Sequence, residues 1–339
     1  MKKYIWMVTA IIISQLPTFS QTNSGGVLDS LYGVLPHLKD SNRVDCLIAL
    51  AEKSGYPVGK SLDFKSRVDS LRFYAELAYE ESKRIDYKKG LMQAAVRLCR
   101  GEFQRGFDSN GYPVFDDPSI YKGMDKYLSI AIPIGEKYHF YEDLGEAYSL
   151  KSILILKLDG KQGFTKAEPF KRKAIYNFEL GGNYKMAAEE ATWLTFDYLA
   201  KGYYESGLDI CEAGLRNAQR WKPVVPNAEM QEWKNYLVQQ SLQNMSEIYQ
   251  AGGDYVNALN YQNLIEEYKL ANNAKWPTSL NKAEIFLLSG ELDSAIKYHA
   301  QEASVRKDWV VNYVQSEILL KQEKFKEALP ILLRSLDSA

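Results

Sequence analysis

The residues best suited to chemistry lie in "DSNGYPVFDD", 108 to 117, where Asp108, Asn110, Asp116 and Asp117 offer the oxygen ligands that calcium takes. The spacing speaks against an ion. Gly111 comes too early for a helix–loop–helix calcium loop, and Ser119 stands where the bidentate glutamate belongs. Asp108, Asp116 and Asp117 also form the one loop cluster of acids that could converge on a glycosidic bond. Two Ser-x-x-Lys pairs, Ser279 with Lys282 and Ser294 with Lys297, have the spacing of a lysine-assisted serine, but both fall inside helical periodicity and lack companion motifs. His37, His139 and His299 stand alone, and the adjacent acids Glu189-Glu190 and Glu266-Glu267 point in different helical directions. Gly252-Gly253 ahead of Asp254 could cradle a phosphate at a helix start. No strand-forming run precedes them, so they read as a helix end, with Asp254 as the next N-cap. Cys46, Cys99 and Cys211 form no C-x-x-C pair and sit in apolar helical patterns, as buried thiols do. These residues predict no catalytic set, no metal and no cofactor.

The elements that carry them are helices. The chain has 339 residues, 46% hydrophobic and 25% charged, which is enough apolar material for a sizeable core. A net charge of −1 lacks the clustered basic surface by which nucleic-acid binders neutralise phosphates. Residues 1–20 read as a secretory signal peptide: "MKK", an apolar run from Tyr4 to Leu16, then "PTFSQ" with Ser20 before the cleavage point. That run is too short for a membrane-spanning helix, which needs about 20 apolar residues, and no later stretch is long or apolar enough. The expected product is exported.

Internal repetition sets the organisation. "GGDYVNALNYQNLIEEY" recurs as "SGELDSAIKYHAQEAS" and "QEKFKEALPILLRSLDS", with Ala258, Ala295 and Ala328 at spacings of 37 and 33 residues. "AKGYYESGLDICEAGL" fits the same template with Gly207 at the small position. An earlier helix accompanies each, in which Met245 and Tyr249, or Leu194 and Tyr198, share a face. In the first half, "DYKKGLMQAA", "FYEDLGEAY" and "NYKMAAEEAT" open first helices, and "GFDSNGYPVFDDPS" and "DGKQGFT" read as insertions. The expected layout is a signal peptide at 1–20, a helical lead-in at 21–65, and six or seven hairpins over 66–339. The hairpins are degenerate in 66–220 and clearest in 239–339.

The unit resembles the tetratricopeptide repeat (TPR), with Met245, Tyr249, Tyr255, Ala258 and Ile265 in its packing positions. That resemblance implies an all-α fold: a right-handed superhelical array of antiparallel helical hairpins, a TPR-like α-solenoid. With its signal peptide, the chain also resembles the exported N-terminal TPR sensor region of Gram-negative membrane-bound histidine kinases and LuxR-type regulators. The sequence departs from that pattern by reaching Ala339 without a membrane helix or output domain. The apolar last helix, with Leu329, Ile331, Leu332, Leu333 and Leu336, is expected to continue into or pack on another helix. Such arrays meet partners along their first helices. This places candidate contacts at Trp193, Phe196, Gln240, Gln243, Asn244, Glu247, Gln250, Asn281, Glu284, Tyr313 and Glu317, where amides beside aromatics suit a peptide or protein, or a glycan. The resemblance implies a non-enzymatic interaction array, periplasmic or envelope-associated, in a signal-transduction protein. The alternatives are an envelope assembly scaffold and an α/α-toroid carbohydrate-active enzyme.

Overall fold

The computed structural model describes residues 24–55, 64–108, 112–115, 117–223, 228–274, 282–305 and 309–337. The signal-peptide reading and Asn110, Asp116, Ser279 and Asn281 fall outside them. The described residues divide into two compact units, meeting between Glu190 and Ala191. The first unit holds α1 (Ser24–Val34), α2 (Asp40–Gly55), α3 (Phe64–Arg84), α4 (Lys88–Gln104), α5 (Pro118–Tyr138), α6 (Tyr141–Asp159), α7 (Phe164–Leu180) and the start of α8 (Tyr184–Lys201). The rest of α8 belongs to the second unit, with α9 (Tyr204–Arg220), α10 (Ala228–Ala251), α11 (Tyr255–Asn272), α12 (Lys282–Leu288), α13 (Leu292–Val305), α14 (Trp309–Lys321) and α15 (Phe325–Asp337). Among the described residues no helix is long and apolar enough to cross a membrane.

Within each unit, consecutive helices from α2 to α7 and from α9 to α15 pack on one another, and even-numbered helices also touch across the odd one between them: α2 on α4, α4 on α6, and α12 on α14. These even helices are thus the first helices of hairpins and adjoin one another within their unit, as in a helical-repeat stack. In the second unit the hairpin turn is the same each time. Gly202, Gly253, Gly290 and Glu323 hold φ of 75°, 81°, 88° and 61°, and five residues later come Gly207, Ala258, Ala295 and Ala328. At Gly253 the bonds are those of a Schellman end: Asp254 N donates to Tyr249 O at 2.9 Å and Gly253 N to Gln250 O at 3.1 Å. Asp254 then caps α11, its Oδ1 accepting from Asn257 N at 3.1 Å.

The small residue five places on is needed by the crossing. Ala258 and Ala295 are fully buried and Ala328 nearly so, and at Gly207 a Cβ would lie 2.9 Å from Ile248 Cδ1 of α10. Met245 and Ile265 are buried beside Ala258 in the α10–α11 hairpin, where Tyr249 stacks on Tyr261 with ring centres 5.6 Å apart.

The first unit uses the same left-handed turn one helix earlier. Asp86, His139 and Gly182 hold φ of 56°, 59° and 77° ahead of α4, α6 and α8, between a second helix and the next first helix. Its longer connections therefore fall inside hairpins. One of them, between α4 and α5, folds on itself: Phe107 bridges to Pro113, and Phe115 lies 5.5 Å from Phe103 and 5.1 Å from Phe107 between ring centres. Asp117 there is a helix cap, its Oδ1 accepting from Ser119 N at 2.8 Å, and Asp108 Oδ1 accepts from Tyr112 N at 2.8 Å. Asp108 and Asp117 thus serve local backbone. The three cysteines are buried and free, and burial pushes the Cys211 thiol up to about 12, away from reactivity.

Candidate interaction surface on the first helices

At 100° per residue, Trp233, Tyr236, Gln240, Gln243, Glu247 and Gln250 fall on one stripe of α10. The stripe is held by side-chain hydrogen bonds along and beneath it. Gln240 Nε2 donates to Asn244 Oδ1 at 2.9 Å, and Gln243 Nε2 donates to Glu247 Oε1 at 2.9 Å. From α11, Gln262 Nε2 donates to Gln243 Oε1 at 3.1 Å and to Ser246 Oγ at 3.0 Å, while Ser246 Oγ donates to Ala258 O at 2.9 Å. A seam of polar groups thus runs from the hairpin interior to the first-helix surface, anchored where the two helices cross.

The expected contacts separate by depth. Gln240, Glu247, Gln250 and Glu284 are partly exposed, as are Phe196 and Glu317, and Trp193 and Tyr313 are open to solvent. Trp193 and Phe196 pair edge to face with ring centres 6.1 Å apart. Gln243 and Asn244 are buried, so their amides order the row from behind. Asn281 lies outside the described residues. Trp233 and Tyr236, with ring centres 5.1 Å apart, extend the stripe and are missing from the sequence-derived set. Their spacing of three and four from Gln240 is the signal that would have found them.

The electrostatics of the stripe are one-sided. Burial raises the Glu247 carboxyl above its usual range, the Gln243 hydrogen bond offsets this in part, and the charge of Glu284 raises it further. Burial likewise raises Glu284 against a hydrogen bond from Gln250. That bond joins α10 to α12, so two first helices share one acidic locus. Asn244 Nδ2 and Gln250 Oε1 have no hydrogen-bond partner among the described residues. The two carboxylates and Gln250 Oε1 offer acceptors suited to N–H donors or a cation, while the buried Asn244 Nδ2 is an unused donor. Among the described residues no group of three or more His, Cys, Asp or Glu is placed to hold a metal ion.

First helices in the first unit carry a different pattern, also absent from the sequence-derived set. Arg97 of α4, only 6% exposed, pairs with Glu52 of α2 and reaches Asp143 at 3.8 Å and Glu146 at 2.7 Å on α6. Arg100 pairs with Glu146, and Gln93 Nε2 donates to Asp143 Oδ2 at 2.9 Å. Burial alone would lower the Arg97 pKa, but Glu146, Glu52 and Asp143 outweigh it and hold the guanidinium charged. These charges pair with one another across three first helices, although Arg97 Nε has no hydrogen-bond partner among the described residues.

Hairpins with adjoining first helices define an all-α helical-repeat fold. In solved structures the chain is similar to BtubC (BKLC) from P. vanneervenii, with a TM-score of 0.51 and 13% identity over 76% of this chain and 92% of that one. It also aligns with NprR in complex with its cognate peptide NprX, at a TM-score of 0.33 and 17% identity, over 94% of this chain and 78% of that one. No protein-family model matches the chain, and no curated protein matches it in sequence.

Proposed function

We propose that the protein is a non-enzymatic interaction array that takes an extended polypeptide along its first helices, with the α10 stripe as the principal contact. The observation that carries this reading is the donor-poor row Gln240, Glu247, Gln250 and Glu284, in which two carboxylates on neighbouring helices face each other through Gln250. Peptide N–H groups, a lysine, an arginine or an N-terminal amine supply what that row lacks. Trp193 and Tyr313 add apolar surface on α8 and α14.

The N-terminal sequence supports export, so the reading extends to a periplasmic or envelope-associated array in a Gram-negative bacterium. It would serve as the sensory or interaction region of a signal-transduction protein, where occupancy changes how the array associates.

An immobilised array of unstructured 15-residue peptides, graded from basic to acidic, tests recognition directly. The wild-type chain should retain a basic or amide-rich subset, and Gln240→Arg and Glu284→Lys should each weaken that retention at least ten-fold. Retention of acidic peptides, or retention indifferent to both substitutions, would refute the peptide reading.

A further inference from the structure

The hydrogen bonds between α10 and α11 have a direction, and one backbone group fixes it. Ala258 O can only accept, so the hydroxyl proton of Ser246 is spent on it, at 2.9 Å. Ser246 Oγ must then accept from its other neighbour, and Gln262 meets it with Nε2 at 3.0 Å. The same Nε2 donates to Gln243 Oε1 at 3.1 Å, which leaves Gln243 its own Nε2 to give to Glu247 Oε1 at 2.9 Å. Ser246 and Gln262 are fully buried and Gln243 nearly so, while Gln262 Oε1 has no hydrogen-bond partner among the described residues. The donor end of Gln262 is thus committed to α10 and its acceptor end is left over. Nine places after the left-handed residue, where α11 has Gln262, the helices α9, α13 and α15 have Cys211, His299 and Leu332. No other second helix of this unit has an amide there.

Resting on the α10 stripe as the recognition surface, we infer that Gln262 sets the preference of that stripe for cationic polypeptides. By taking up Gln243 Oε1 it turns the donor end of that amide to Glu247 and keeps the Glu247 carboxylate an acceptor. It is a positioning residue, because it acts on the stripe through Gln243 and lies too deep to touch a partner. An amide end that donates favours the ionised carboxylate, and one that accepts favours the protonated form. Reversal of the Gln243 amide would therefore make Glu247 a neutral donor, and the stripe would lose the charge that a lysine, an arginine or an N-terminal amine requires. The surroundings make Gln243 decisive. Burial and the charge of Glu284 on α12 both raise the Glu247 carboxyl, and among the described residues the Gln243 bond is what opposes them. From α9, the Cys211 thiol lies in the field of both Glu247 and Glu212, and burial keeps it uncharged. From α11, the approach to Glu247 is through Gln262 by way of Gln243.

The titration of Glu247 is followed by carbon-13 NMR of the full chain labelled at the glutamate carboxyl carbons, with its signal assigned from Glu247→Gln. Gln262→Met keeps the length of the side chain and removes the donor, and the Glu247 midpoint should rise by about one pH unit. Gln243→Leu should raise it too, and adding Gln262→Met to Gln243→Leu should move it no further. A loss of packing alone lowers stability without moving that midpoint. Ser246→Ala frees Gln262 to turn and should shift the midpoint in the same direction, which gives a milder variant where Gln262→Met does not fold. At the pH where wild-type Glu247 is half ionised, a rise of about one unit leaves about a tenth ionised, so Gln262→Met should retain basic peptides about five-fold less. A midpoint unmoved or lowered by Gln262→Met, or by Ser246→Ala where the former does not fold, overturns the inference. So does a further rise when Gln262→Met is added to Gln243→Leu. The titration contains no peptide, so an unmoved midpoint removes the role of Gln262 alone, whereas recognition by the stripe fails only if the wild-type chain retains no basic or amide-rich peptide.

Discussion

Replacing Glu323 by glycine should stabilise the last hairpin. Glu323 holds φ of 61° in the turn before α15, where the three preceding hairpins of its unit place Gly202, Gly253 and Gly290. A residue with a Cβ in the left-handed region costs about 1–2 kcal/mol. Glycine removes that cost but loses about 0.5–1 kcal/mol more backbone entropy on folding. The difference leaves a net gain of about 0.5–1 kcal/mol. Glu323 is exposed, so little packing is lost in exchange. Repeat arrays depart from two-state unfolding, so a single Tm is a poor reporter. Native-state hydrogen exchange at the amides of α15 isolates the hairpin, and protection there should rise about two- to five-fold. Gly253→Ala is the reciprocal test. Gly253 has φ of 81° and nothing within 4 Å of where its Cβ would stand, so the loss in α11 protection reports backbone strain alone. If Glu323→Gly leaves α15 unchanged while Gly253→Ala costs nothing, the turn does not set the register, and the equivalence of the four second helices fails with it.

Three further outcomes follow from the buried polar groups. Ala258→Glu should destabilise the α10–α11 hairpin by about 3 kcal/mol or more, because it places an unpaired charge at a fully buried crossing, and chemical denaturation should show the loss. Arg97→Met should cost about 3–5 kcal/mol at pH 7 by leaving Glu52 and Asp143 without a cation and Glu146 with Arg100 alone. That loss should shrink as the pH falls and the carboxylates protonate, and adding Glu146→Gln should recover part of it. Glu247→Gln should stabilise the second unit at pH 7. The folded-state pKa of Glu247 is raised, so ionisation costs nothing below the unfolded value of 4.5, and the cost grows as pH rises from there through the folded value. The variant's advantage over wild type should therefore vanish near pH 4, and an advantage that grows on acidification would contradict the sign.

The fold was legible where the turn chemistry was explicit. Gly253 and Gly290, each five residues ahead of an alanine, mark a Schellman end and a close crossing, and both are present as expected. The first half reads as degenerate for a physical reason. There the left-handed turn sits between hairpins, on Asp86, His139 and Gly182, and the longer connections sit within them. The helix α8 has such a turn at each end, Gly182 before it and Gly202 after it, so the tight connection changes sides of the repeat at that helix. A template aligned on the second helices consequently fails upstream of Gly202, although the helices still alternate in the same way. Asp86, His139 and Glu323 also hide the turn from a search for glycine, since non-glycine residues reach the left-handed region only when the surrounding packing supports it.

The spacing of the first-helix side chains was legible, but their depth was not. Sequence spacing puts Gln240, Gln243, Asn244 and Glu247 on neighbouring parts of one helix, yet it cannot say that Gln262 reaches across from α11 to bury Gln243. Nor does a charge count show the Arg97 cluster, because its members come from residues 45 and 49 positions away. Pairs of opposite charge at the same spacing of three on consecutive first helices, Arg97 and Arg100 on one and Asp143 and Glu146 on the next, were the available clue. First helices carry different charge patterns in the two units. In the first, cations and anions on adjoining helices neutralise each other, leaving no net demand for a ligand. In the second, the charge of Glu284 acts on Glu247 and Gln250 hydrogen-bonds to Glu284, which is the feature the proposed recognition rests on. That asymmetry localises the recognition proposal to α10 and α12, and it predicts that charge reversal at Glu284 disturbs binding without the collapse expected from charge removal at Arg97.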